Sequence, residues 1–370
     1  MLNDGKAWLF CLFLFPYFTL AQTPFAHFYQ EGATSEPFAV ETFGDSLIII
    51  GLNDFTYGFG GCEEGMILVY NLEGDVMNIY SQGKDGRPFQ EIVFQKMIFY
   101  EGQFYIGGFD RYLSNFPSRR EFTLSKLSLD EGVEELGRSS WYNEGPYTSR
   151  EIRDMAISPL GRVAMATSDG LVLADTSGTF DEQIVEEFDS TLFRVEFFSE
   201  GSLLIADSSS VSLVDIGGEE AVSVSFTDRV VDLKKEGDSV YVATNSTLYV
   251  FNTLLRLEDS LDLRSRFEEV YQLTTYGDLI HIIGKSFGEI GVYTIEKGVF
   301  DIPESSQFFS NRFPARPLIV PLEEGWVGAI ASESEEVSIN TLSFYLPFSD
   351  TLESNAGYDI ALLDFQIESV

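Results

Sequence analysis

Hydrophobic and polar positions repeat in blocks along this chain. A glycine that opens a short apolar run recurs as GDSLIIIG (44–51), GQFYIGG (102–108), GRVAMAT (161–167) and GSLLIAD (201–207). It returns as GDSVYVAT (237–244), GDLIHIIG (277–284) and GWVGAIA (325–331). A strand-like segment precedes each run, from FAVETF (38–43) to PLIVPL (317–322), and another follows, from MILVYNL (66–72) to VSINTLSF (337–344). These segments are rich in Val, Ile, Phe, Tyr and Thr, and several alternate apolar with polar residues as half-buried strands do. The repeat spacing averages about 47 residues, in the range of propeller blades. The pattern predicts an all-β fold, a seven-bladed β-propeller of four-stranded antiparallel blades. Each glycine then supplies the positive φ of the turn between a blade's first two strands.

Such a blade has two apolar faces and buries them only by stacking on its neighbours. A ring of blades leaves only short, protected edges. A β-sandwich is the competing reading, but seven regular copies exceed what a sandwich needs. The segments 181–188 and 256–267 have helical composition, yet they fall where outer strands belong. For closure, YDIALLDFQ (358–366) is expected to be the outer strand of the last blade, with FAHFYQ (25–30) as an added or capping strand.

The first 21 residues break this pattern. Lys6 lies in a short polar start, an apolar run extends from Ala7 to Leu20, and small residues at Thr19 and Ala21 offer a cleavage site before Gln22. The run is too short to span a membrane comfortably. Residues 1–21 are therefore expected to be a signal peptide and 22–370 a single propeller domain, secreted or periplasmic, with cell-surface association left open. No transmembrane segment is expected. Beyond the signal only Cys62 remains as a thiol, so the fold must hold by burial and not by disulfides.

The segment IRDMAISPLGRVAMATSDGLVLADTSG (152–178) resembles the propeller repeat of bacterial two-component regulator sensors. A turn glycine, a strand, a threonine, a glycine-containing turn and a second strand appear as Gly161, Thr167, Gly170 and Leu171–Ala174, with Ala164 where the family has Trp. ILVYNLEGDVMNIY (67–80) and TLSKLSLDEGVEEL (123–136) resemble paired outer strands of secreted bacterial propellers. The resemblance implies a seven-bladed ring with extracellular sensing or binding, and it carries over no catalytic residue.

Composition narrows the partners. The chain has 370 residues, 44% of them apolar, with 23 Lys+Arg against 59 Asp+Glu and a net charge of −36. That excess excludes nucleic acid and anionic membrane surfaces as partners, and it favours a monomer. Two histidines, His27 and His281, exclude a His-rich metal centre. No cofactor and no metal site is expected.

Strand alternation puts the loops between second and third strands on the same face as the links between blades. The long insertions 51–65, 108–121, 138–151 and 303–316 are of these two kinds. They concentrate aromatic residues and arginines, and residues 111–120 hold three Arg and no acid. Aromatic faces stack on sugars or anchor peptides, while the arginine fork suits carboxylates. The expected ligand-binding residues are Tyr57, Arg111, Tyr112, Arg119, Arg120, Trp141 and Tyr142, for a glycan, a peptide or protein, or an anionic polymer. Packing of these aromatics onto the ring is the plainer alternative. A polysaccharide hydrolase or lyase would use Asp54, Glu63, Glu64 and Asp110 on the same face. Catalytic residues stay unassigned.

Overall fold

The structure is a computed structural model. It describes residues 25–29, 34–44, 46–55, 63–82, 90–112, 120–139, 151–167, 170–181, 192–216, 220–286, 288–297, 306–310, 317–322, 325–333, 339–347, 358–359 and 365–368. The signal segment, Cys62 and residues 182–188 lie outside them. Among the described residues every regular element is a strand, and no helix is long and apolar enough to cross a membrane.

After β1 (Phe25–Tyr29), the first unit is β2 (Thr34–Phe43), β3 (Leu47–Phe55), β4 (Glu63–Asn71) and β5 (Val76–Gln82). The second is β6 (Gln90–Tyr100), β7 (Gln103–Tyr112), β8 (Arg120–Ser128) and β9 (Gly132–Arg138). The third has β10 (Ile152–Ile157), β11 (Arg162–Thr167) and β12 (Gly170–Asp175), extended by a single bridge from Ala174 to Phe180. The fourth is β13 (Arg194–Ser199), β14 (Ser202–Ala206), β15 (Ser210–Asp215) and β16 (Glu220–Ser225). The fifth is β17 (Val230–Glu236), β18 (Ser239–Thr244), β19 (Thr247–Asn252) and β20 (Leu257–Asp262). The sixth is β21 (Glu269–Tyr276), β22 (Leu279–Ser286), β23 (Glu289–Glu296) and β24 (Ser306–Ser310). The last has β25 (Leu318–Pro321), β26 (Gly325–Glu333) and β27 (Ile339–Pro347). Two short strands follow, β28 (Tyr358–Asp359) and β29 (Phe365–Glu368).

These strands form six hydrogen-bonded sheets, and the expected seven separate blades are corrected to six. The cause is local. Strand β2 is ten residues long, and its first residue, Thr34, pairs in parallel with Ile339 of β27. That pair joins the first and last units into one nine-stranded sheet. Its two halves still pack together, with Val40, Ile48, Ile50 and Leu68 against Leu322, Val327 and Ala329.

Closure differs from expectation too. The N-terminal β1 takes the place outside β27, antiparallel to it from Phe25↔Tyr345 to Tyr29↔Thr341. The C-terminal segment is split: β29 runs parallel outside β1, and β28 adds to β24 of the sixth sheet. The innermost strands touch in the order β2, β6, β10, β13, β17, β21, β25 and back to β2, which closes the ring.

Second strands explain the unbroken apolar runs. In β3, Ile49 packs toward the second unit with Phe94 and Phe104, while Ile48 and Ile50 face the last unit. In β18, Val240 and Val242 face the fourth unit, and Tyr241 and Ala243 face the sixth. Both faces are buried, so alternate residues serve opposite interfaces and no polar alternation is left. Of the seven repeat glycines, Gly44, Gly102, Gly161, Gly237 and Gly277 have positive φ. Gly201 does not, and Gly325 opens a strand instead of a turn.

Candidate functional site

The innermost strands enclose a central cavity of about 370 Å³. Their sequences do not read as simple alternation, because five of them carry a register shift at the same place. The unpaired residues are Phe38 in β2, Gln95 in β6, Arg153 in β10, Val231 in β17 and Tyr271 in β21. A bulge bends its strand and re-aims the next side chain. The residues that follow are Ala39, Lys96, Asp154, Asp232 and Gln272, and all five line the cavity. Residues two positions on share a face, which brings in Glu41 and Lys234. Arg194 of β13 completes the polar lining.

Polar side chains on or beside the inner strands tie each unit to the next. Asn53 donates to the Phe94 carbonyl at 2.6 Å and accepts from the Phe94 N–H at 3.0 Å, which links the first and second units. Gln95 accepts from the Ile152 N–H at 2.5 Å. Asp154 accepts from the Val195 N–H at 3.0 Å. Arg194 Nε donates to Asp232 Oδ1 at 2.6 Å. Asp232 Oδ2 accepts from the Leu273 N–H at 2.7 Å, and its Oδ1 also accepts from the Leu233 N–H at 2.8 Å. Gln272 donates to the Ile319 carbonyl at 3.1 Å. The links run from the first unit round to the last. At the remaining junction, β25 to β2, no such link occurs among the described residues, and apolar packing takes over.

Charge in this confined space shifts the titrations. Burial pushes the Glu41 carboxyl up to about 7, against a lowering pull from Lys234. Burial lowers Lys96, and the nearby Asp154 and Asp232 only partly offset it. Burial raises Glu196, with Lys234 pulling the other way. Asp232 is lowered: burial opposes ionisation but is outweighed by Arg194, Lys234 and the Leu273 N–H. Lys234 is raised, chiefly by Glu196, whose carboxylate lies 3.3 Å away. Arg194 is raised because Asp232 and Asp154 outweigh its burial. Asp232 thus favours the charged forms of Arg194 and Lys234 and is kept ionised by them, while Glu196 stays raised despite the pull of Lys234. Lys96 and Glu41 have no hydrogen-bond or ion-pair partner among the described residues.

The seven expected ligand residues fall into two groups. Tyr57, Arg119, Trp141 and Tyr142 lie outside the described residues. Arg111 and Tyr112 end β7, and Arg120 begins β8. Arg111 is the direct cross-strand partner of Arg120. Two expected loops are in part extended hairpins: pairing continues to Phe55↔Glu63 between β3 and β4, and to Arg111↔Arg120 between β7 and β8. A third, 303–316, contains β24. The four acids kept for catalysis also lie in strands. Asp54 pairs with Glu64, Phe55 with Glu63, and Asp110 with Glu121.

No protein-family model matches the chain, and no curated protein matches it. Solved structures do. A catalytically inactive virginiamycin B lyase from Staphylococcus aureus, solved with quinupristin, superposes with a TM-score of 0.56 at 10% identity, covering 88% of this chain and 100% of that one. The Pan2 WD40 domain of Neurospora crassa gives a TM-score of 0.53 at 12% identity, over 87% and 92%. At such identities the likeness is one of fold: this chain is built as a β-propeller, an architecture consistent with a binding scaffold.

Proposed function

We propose that the protein is an exported binding propeller, secreted or periplasmic. It takes a glycan, a peptide or an anionic polymer on the face where the β3–β4 and β7–β8 hairpins end and the inner strands begin. What supports this reading most is the Arg111–Arg120 cross-strand pair. It belongs to a stretch, 111–120, with three arginines and no acid, in a chain of net charge −36. Like charges set directly opposite on a hairpin are unfavourable by themselves. An anionic group bound between them would remove that cost, and the arginine fork suits it. Tyr57, Trp141 and Tyr142 are aromatic residues of the kind that stack on sugars or anchor peptides, and the signal-like residues 1–21 support export.

The test is binding to glycan and peptide arrays. Replacing Arg119, Trp141 and Tyr142 with Ala should abolish capture and leave the melting temperature nearly unchanged. Retained capture with a large loss of stability would assign these side chains to packing.

A hydrolase or lyase is the second reading. Its support is the register that sets Asp54 opposite Glu64, because paired carboxylates are the working groups of glycoside chemistry. Incubation with a panel of acidic and neutral polysaccharides decides it, and release of reducing ends or unsaturated products is the result it requires.

A further inference from the structure

We infer that the central channel seats a small zwitterion, an amino-acid-type molecule whose anionic end meets Lys96 and whose ammonium end meets Glu41. This deepens the binding reading above, and rests on it only in treating the ring as a ligand scaffold.

The inference starts from which charges are used. Arg194, Asp232, Asp154, Gln95 and Gln272 are all engaged across inner strands, and Lys234 is paired with Glu196. Lys96 and Glu41 line the same cavity, and neither makes a hydrogen bond or ion pair with the other or with any other described residue; Asp154 and Asp232 act on Lys96, and Lys234 on Glu41, only at longer range. They sit on neighbouring inner strands, β6 and β2, beyond ion-pair distance of one another. Isolated charges in a confined cavity are costly unless something compensates them. A simple anion would satisfy Lys96 but meet Asp154, Asp232 and Glu41. A simple cation would satisfy Glu41 but meet Lys96, Arg194 and Lys234. A molecule with both signs at its two ends answers both groups at once. The cavity of about 370 Å³ has room for one and falls within the range of small-molecule sites. The apolar wall from Phe38, Met97, Leu318 and Val320 suits a methylene spacer between the ends.

Isothermal titration calorimetry of the full chain near pH 8 tests this. The probes are glycine, 4-aminobutyrate and 6-aminohexanoate, beside acetate and methylammonium as one-ended controls. At least one amino acid should fill a single site, with the one-ended probes about tenfold weaker or worse. Lys96→Met and Glu41→Gln should each weaken it by about tenfold or more, with the circular dichroism spectrum unchanged. Two variants guard against misfolding of one. Absence of saturable heat with all three amino acids, equal binding of acetate, or unchanged affinity in both variants overturns the inference. Arg119→Ala separates the two proposals: it should cost capture on the hairpin face and leave amino-acid binding intact.

Discussion

Two arginine–aspartate pairs in this molecule have the same nitrogen–oxygen distance and opposite significance. Arg194–Asp232 in the channel wall and Arg264–Asp262 on the outer rim both measure 2.6 Å. In the wall, the side chains are 23% and 4% exposed; on the rim, 73% and 55%. The rim pair is local, two residues apart at the end of β20, and water can replace either partner. The wall pair joins β13 to β17, and Asp232 passes the connection on to β21 through the Leu273 N–H. Geometry alone does not rank the two. What each partner would face alone does: bulk water on the rim, a narrow channel in the wall.

The largest effect should come from breaking the wall. Asp232→Ala leaves the Arg194 guanidinium without its carboxylate and the Leu273 N–H without an acceptor. A loss of about 3–5 kcal/mol is expected in urea unfolding. A loss below about 1 kcal/mol would place the wall pair with the rim pair.

Next comes acid. His281 is 2% exposed, has one ring nitrogen against Thr294 and lies edge-on to Trp326 at 4.8 Å. Its other ring nitrogen has no hydrogen-bond partner among the described residues. Burial lowers its titration to about 4 from an ordinary 6.5. The unfolded chain therefore takes up the proton first as pH falls, and stability is lost from about 6.5 down through 4. A drop of about 2–3 kcal/mol is expected over that window, and His281→Phe should flatten it.

Glu41 works in the opposite sense. Its folded carboxyl keeps a proton up to about 7, against an ordinary 4.5. Folding takes up that proton in between, so stability is fullest below 4.5 and falls as pH rises through 7. Glu41→Gln should raise stability near pH 8 by about 1–3 kcal/mol and change little near pH 4. Measured together, the two variants expose opposing slopes that partly cancel in the native chain. The smallest effect belongs to the rim. Asp262→Ala should leave the thermal midpoint unchanged, although Arg264 holds the Asp262 carboxyl down at about 2.

The same contrast explains what could be read in the sequence. The apolar runs after each glycine were legible as strands because every residue in them is buried on one interface or the other, as Ile48, Ile49 and Ile50 show. The inner strands were legible as strands too, but not as a site. Lys96, Asp154, Arg194, Asp232 and Gln272 stand five to seven residues before their repeat glycines. That alignment was the available signal. It was hidden because the bulges at Gln95, Arg153, Val231 and Tyr271 shift the register, so the polar residue breaks the alternation instead of obeying it. The joining of the first and last units rests on one backbone pair, Thr34↔Ile339, which no side-chain pattern announces. The choice of β1 over the C-terminal segment next to β27 is similar, since both segments carry strand-like alternation. The composition of the loops pointed to the hairpin face, and the backbone register adds the Arg111–Arg120 pairing that composition could not.

The central claim is that the channel holds an ammonium and a carboxyl without a hydrogen-bond or ion-pair partner among the described residues. Side-chain NMR titration of Lys96 and Glu41 in the free protein tests it most directly. The account predicts a Lys96 ammonium that titrates below its ordinary 10.5 and a Glu41 carboxyl that titrates near 7, with both moving back toward their ordinary values when an amino-acid ligand fills the channel. Ordinary titration of both groups in the free protein, unmoved by ligand, would contradict it.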